Sequence, residues 1–261
     1  MRLSYTFSVP FLDNKKLKQI VDSVKEDVEL QTFWRCSNVM AINRMGYTDH
    51  GPTHVKIVAN SALRLLRILV KHGVVPSVVK DYNLTNEDAE VVVVLASLFH
   101  DLGMIVTREE HEEYGVNLAF HFLRRHLHKV YSEEESAIIS SEVMHALLAH
   151  HPQQKVLTLE AGIVRVADAL DMEQGRARIP FQAGKVDIHA VSAMSIEKVE
   201  IVEGAEKPVV IRIRMLNSAG IFQIDELLKA RIVGSGLEKY VHVVAEIVGE
   251  KERKIIDKFE I

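Results

Sequence analysis

The sequence predicts an α+β protein: an all-α helical bundle over residues 1–182, then a small mixed strand/helix α+β C-terminal domain over 183–261. Three observations predict it. Apolar residues recur at helical spacing from about residue 14 to 178. Beyond Pro180, apolar and polar residues alternate with a period of two. Histidine is bunched, with 11 of its 13 copies between His50 and His151. The first two observations set the architecture; the third marks the helical part as the part that carries chemistry.

The helical elements follow in order. Residues 14–36 carry Leu17, Ile20, Val21, Val24 and Val28 on one helical face. Residues 51–72 open on Pro52, suited to a first turn, and stop before Gly73. Thr85-Asn86-Glu87-Asp88 forms a capping box before an apolar helix. Residues 111–130 read as the next helix. Ser132-Glu133-Glu134-Glu135 caps another, which runs to His150 and is stopped by Pro152. Residues 158–172 end the series. In the tail, residues 195–202, 240–248 and 254–261 read as strands and 221–233 as a helix. Val209, Ile211, Ile213 and Met215 alternate with Val210, Arg212 and Arg214, the signature of a half-buried strand.

Composition excludes several classes. At 48% hydrophobic, 26% charged and net −4, the chain has no electrostatic reason to bind a nucleic-acid polymer or an anionic membrane. A single Cys36 excludes a disulfide framework and a zinc ribbon, and predicts a reduced thiol. The opening MRLSYTFSVP lacks the apolar core of a secretory signal, and the apolar run 91–99 is too short for a bilayer. The expectation is a cytoplasmic enzyme or binding protein.

The chemistry centres on His100-Asp101, at the end of an apolar helix. Neighbours on a helix diverge by about 100°, so both reach one ion only near a helix end. A helix-terminal histidine with a capping aspartate is the bland alternative. His54, near the start of the preceding long helix, and Asp168, amid Val and Ala on a later one, complete a set of four. A buried carboxylate among apolar residues is costly without a partner or metal. Four ligands from three helices are how bundles commonly build metal sites.

At this point the sequence resembles the HD superfamily of metal-dependent phosphohydrolases. Its H…HD…D pattern is matched by His54, His100-Asp101 and Asp168. Glu110-His111-Glu112-Glu113-Tyr114-Gly115 looks like the H-x-x-x-G turn of the binuclear branch. The stretch Ala146-Leu147-Leu148-Ala149-His150, with Thr158-Leu159-Glu160-Ala161 and Val166-Ala167-Asp168, is similar to bacterial HD-type diadenosine polyphosphate hydrolases. His150-His151 resembles the HD-GYP-type cyclic-dinucleotide phosphodiesterases, although the GYP signature is missing. The resemblance covers about residues 35–178.

It implies two divalent transition-metal ions (Mn, Fe, Ni, Co or Zn), with room for a third. His54, His100, Asp101 and Asp168 would hold one, and His111 and His150 the other, with Asp101 bridging. The implied reaction is hydrolysis of a phosphomonoester or diester of a nucleotide-like small molecule by a metal-bridging hydroxide, which Asp101 would fix. His151 or His145 would protonate the leaving group. The family's HDxxK lysine is Met104 here, so positive partners for the substrate would come from Lys56, Arg108, Arg176 and Arg178. His50 would reach the substrate or a third ion, or else be a residue near a helix start. His121 reads as core or as a neighbour of the site rather than a ligand; His72, His126 and His128 read as solvated. Two other readings share the ligand set: an HD-fold di-iron oxygenase, and a non-catalytic metal- or ligand-sensing module. The C-terminal domain would serve as a lid or pair protomers into a homodimer.

Overall fold

The computed structural model describes residues 8–176 and 188–248 of the 261-residue chain. The helical part comprises α1 (Lys15–Glu26), α2 (Val28–Asn38), α3 (Pro52–Lys71), α4 (Ser77–Tyr82), α5 (Asn86–Phe99), α6 (His111–Leu127), α7 (Glu133–Ala149) and α8 (Leu159–Ala169). A short helix α9 (Ile188–Met194) leads to β1 (Ile196–Glu203), β2 (Val209–Met215) and β3 (Val241–Ile247). Between β2 and β3 lies a helical segment, π-helical over Gln223–Leu228 and α-helical over Lys229–Ile232.

Helix α5 explains the packing. Residues 91–99 are all buried, so this helix has no polar face to turn toward water. It is enclosed by α1, α3, α7 and α8. Both predicted capping boxes form. Asp88 accepts from the Thr85 amide at 2.9 Å, and Glu135 accepts from the Ser132 amide at 3.0 Å. The Trp34 indole donates to the Leu98 carbonyl at 2.9 Å, tying α2 to the end of α5.

The predicted helix over 14–36 is instead two. Asp27 accepts the Leu30 amide at 3.0 Å and starts α2, while its extended backbone ends α1. Leu17, Ile20, Val21 and Val24 are buried as expected, but Val28, beyond the break, is exposed. The predicted helix over 221–233 forms, with its middle wound as a π-helix.

The sheet order is β1-β2-β3, antiparallel between β1 and β2 and parallel between β2 and β3. Ile201 faces Ile211 across the first pair, and Ile211 faces Val243 across the second. Val209, Ile211, Ile213 and Met215 are all buried, as the alternation predicted. They join α3 and the rest of the bundle in one continuous apolar cluster. The expected strand over 254–261 lies outside the described residues. No helix among the described residues is long and apolar enough to cross a membrane.

Candidate metal centre

The proposed ligands sit at helix ends that converge below α5. His54 is in the first turn of α3, His100 caps the end of α5, and Asp101 opens the following 3-10 turn. His111 begins α6, His150 follows the end of α7, and Asp168 lies in the last turn of α8. Two local devices allow this convergence. Gly103 lies against the start of α6: a Cβ there would overlap the His111 carbonyl and come 2.7 Å from the Gly115 nitrogen. Only a glycine lets α6 seat so closely on the turn that bears Asp101. The buried Arg165 guanidinium donates to the Ala149, His151 and Gln154 carbonyls at 2.7, 2.9 and 2.5 Å. It thereby satisfies the carbonyl end of α7 and fixes the backbone on both sides of His150.

The four histidines share one orientation. His100, His111 and His150 each donate from Nδ1 to the carbonyl three residues earlier, at 2.8, 2.9 and 2.5 Å. His54 Nδ1 lies 2.6 Å from Asp171 Oδ2. A carbonyl can only accept, so Nδ1 of His100 and His150 carries the hydrogen and Nε2 turns its lone pair inward; His111 Nδ1 also lies 3.0 Å from Arg108 Nη1, a donor, beside the carbonyl of the same residue.

What Nε2 meets is short of positive charge. His54 Nε2 and His100 Nε2 are 3.1 Å apart, two lone pairs that need a proton or a cation between them. Asp101 Oδ2 lies 3.3 Å from His54 Nε2 and 3.2 Å from His100 Nε2, while its Oδ1 lies 3.3 Å from His111 Nε2. Asp168 Oδ1 lies 3.3 Å from His54 Nε2 and 3.6 Å from His100 Nε2. Asp101 Oδ2 is buried and has no hydrogen-bond partner among the described residues. Buried polar atoms are seldom left so.

The carboxylates and imidazoles shift one another's protonation. Burial and Arg176 oppose charge on His54, but Asp101, Asp168 and Asp171 outweigh them and hold its pKa well above the ordinary value. Burial likewise opposes charge on His100, yet Asp101 and Asp168 raise it to about 9. His150 is pushed well below its ordinary value by burial and by His100 and His111. Burial would raise Asp101 and Asp168, but the imidazoles hold both well below the carboxylate range. Ionised carboxylates interleaved with inward nitrogen lone pairs are a donor set suited to divalent transition metals. Three groups bring their ligand atoms within 4.8 Å of one another: His54/His100/Asp101, His100/His150/Asp168 and Asp101/His111/His150.

A cavity of about 310 Å³ opens onto this cluster. Among the expected residues, His50, Arg108, His151 and Arg176 line it. Arg176 also donates to the Asp49 and Asp171 carbonyls at 3.2 and 2.9 Å. Lys56 and His145 do not line it; His145 Nε2 instead accepts the Leu157 amide at 3.1 Å. Arg178 lies outside the described residues. Met104 is fully buried and is not among the residues that line the cavity.

Sequence reasoning missed three residues. Asp171 orients His54, and its position three residues after Asp168 was the available signal. Glu112 is buried, with Oε2 3.2 Å from His111 Nδ1 and Oε1 3.9 Å from His150 Nε2. It lies on the face of α6 that buries Gly115, Ala119, Phe122 and His126, so helical periodicity could have found it. Arg231, from the C-terminal segment, has Nη1 3.6 Å from Asp168 Oδ2 and donates to the His150 carbonyl. The same periodicity corrects two other histidines. His126 is buried rather than solvated, bonding Ser23 Oγ at 2.7 Å with Asp27 3.2 Å away. His121 is exposed beside Arg125 and Glu29 rather than in the core.

Comparison with known proteins agrees with this geometry. The family model of the HD domain matches residues 53–173, which span His54 to Asp168. An uncharacterized protein of Methanocaldococcus jannaschii, MJ1020, is 44% identical over 244 residues, covering 94% of this chain and 93% of that protein. Ribonuclease Y of Desulforamulus reducens is 29% identical over 171 residues, covering 62% of this chain but 30% of that protein. HD domains bind divalent metals and are generally metal-dependent hydrolases. On its motif, the geometry of its side chains and these matches, residues 53–173 of the chain are an HD domain of the HD superfamily.

Proposed function

We propose that the protein is a phosphohydrolase with two divalent ions, cleaving the phosphoester of a nucleotide-like small molecule. The observation that carries this is Asp101. Its two oxygens face different imidazoles, Oδ2 toward His54 and His100 and Oδ1 toward His111, as a bridging carboxylate requires. His54, His100 and Asp168 complete one site with Asp101, and His111 and His150 the other. Bound there, the ions would supply Lewis acidity toward phosphorus and a nucleophilic water at neutral pH.

The chain's own residues do the rest. Asp171 holds the His54 ring in place, and the Ser97, Arg108 and Leu147 carbonyls hold the other three. Arg108 and Arg176 offer charge-assisted donors to phosphoryl oxygens. His151 lines the cavity, and its Nδ1 accepts the Gln153 amide at 3.3 Å. As an imidazolium, His151 could pass its Nε2 proton to a leaving alkoxide and return to the neutral ring whose Nδ1 accepts the Gln153 amide.

The test is a panel of phosphoesters incubated with protein reconstituted separately with Mn, Fe, Co, Ni and Zn. The panel holds a nitrophenyl monoester, a nitrophenyl diester, nucleoside monophosphates and dinucleotides. A short RNA joins it because one relative is named a ribonuclease. Metal-dependent release of phosphate or alcohol from a small ester is expected. Oxygen uptake without phosphoester cleavage would instead support the di-iron reading, and bound metal without turnover a non-catalytic centre.

A further inference from the structure

We propose that Arg231, delivered by the C-terminal segment 223–232, is the clamp that binds the substrate's phosphoryl group. This rests on the phosphohydrolase reading above. The 3-10 turn Leu102–Ile105 after Asp101 holds no basic residue, and Met104 is buried in it. Arg231 reaches the cluster from the other part of the fold. It lines the cavity, its Nη1 lies 3.6 Å from Asp168 Oδ2, and it donates to the His150 carbonyl. Asp168 is a proposed metal ligand and the His150 carbonyl adjoins another, so the guanidinium stands at the edge of the cluster, where it could meet a phosphoryl group bound there. A guanidinium carries five N–H donors in a planar fork. These two contacts leave donors free to turn into the cavity, in the geometry that grips phosphate in pairs.

The delivery of Arg231 is built into the packing. Gly162 on α8 lies under the Ser235 carbonyl, with no room for a Cβ between them. The segment is thereby seated on the same helix that carries Asp168. Gln223, Leu227 and Arg231 follow at intervals of four and line the same cavity. One face of the segment is thus a wall of the site. Arg165 stands near enough that burial and the Arg231 charge together lower its pKa. Its own donors are committed to three carbonyls, so Arg231 is the guanidinium of the two that lines the cavity.

The experiment measures inorganic phosphate binding by calorimetry on the metal-loaded full chain, for the parent, Arg231→Gln and Arg231→Lys. Metal content, Tm, and KM and kcat for a nitrophenyl phosphoester are read on the same samples. Arg231→Gln is expected to weaken phosphate binding and raise KM by about 10- to 100-fold, the range for losing a charge-assisted hydrogen bond. Metal content and Tm should stay at the parent values. Arg231→Lys should recover part of the loss, as a charge without the fork. Unchanged phosphate affinity in Arg231→Gln overturns the clamp, and so does a fall in metal content that tracks the loss. If the parent both binds phosphate and cleaves the ester while Arg231→Gln equals it, only the clamp fails. If the parent does neither, the phosphohydrolase reading fails and the clamp with it.

Discussion

A metal site is decided by where ring hydrogens go. Each of the four histidines points Nδ1 at a partner that can accept its hydrogen, and three of those partners are backbone carbonyls three residues back. The fourth is the Asp171 carboxylate, the one such partner in this set that a side-chain substitution can remove. Asp171→Ala is therefore expected to weaken metal binding by about 10- to 100-fold, as is usual when a ligand's supporting partner is lost. Titration against a chelating indicator measures this, and parent-like affinity would contradict it. At this scale the legible residues were those with a motif. His54, His100, Asp101 and Asp168 stand in a recognisable order, and the structure gathers them with His111 and His150. Glu112 and Asp171 act through other residues and carry no motif, so only their spacing gave a sign. Arg231 gave none, because nothing in a local sequence window tells which distant helix its face will meet.

Helical elements were legible because their signals are local. Capping boxes, an N-terminal proline and a run of apolar residues all act within one or two turns. The missed break at Asp27 is instructive, since apolar spacing continues through it to Val28 while the backbone does not. Leu17 is fully buried on α1, whereas Val28 is 71% exposed. Leu17→Ala should cost about 2–5 kcal/mol of unfolding free energy and Val28→Ala under about 0.5 kcal/mol, by urea denaturation. An equal cost would mean the two share one buried face.

Asp88 joins α5 to its neighbours. It accepts from Lys16 at 2.8 Å, from Tyr131 at 2.7 Å and from Thr85 at 2.7 and 2.9 Å. Burial alone would raise its pKa; these donors outweigh burial and hold it below 3.8. A carboxylate depressed by folding adds stability above its unfolded pKa and loses it as pH falls through the folded value. Asp88→Asn should therefore cost about 1–3 kcal/mol at pH 7, and the gap should narrow below about pH 4. A gap independent of pH would show that the charge contributes nothing.

Over the whole molecule, the change of hydrophobic rhythm anticipated the strands β1 and β2, although a further helix, α9, precedes them. It could not reveal how far the two parts share a core, because that depends on long-range packing. Ile196, Ile201, Ile211 and Ile213 of the sheet lie in one buried cluster with α3 and α5. Fully burying such a side chain stabilises by about 1.5–3 kcal/mol. A chain ending at residue 182 would expose the face of α3 that the sheet covers. It should lose cooperative thermal unfolding, and a sharp transition at the parent Tm would contradict this. The second part also supplies Gln223, Leu227 and Arg231 to the cavity wall, so it is part of the site as well as of the core.

All of this converges on Asp101, whose two oxygens face two sets of nitrogen ligands. The most direct measurement is the metal content per chain after reconstitution with manganese and removal of excess, for the parent and for Asp101→Asn. About two ions per chain are expected in the parent and one or none in the variant, with the fold kept. A parent that holds no ion, or a variant that keeps the full complement, would contradict it.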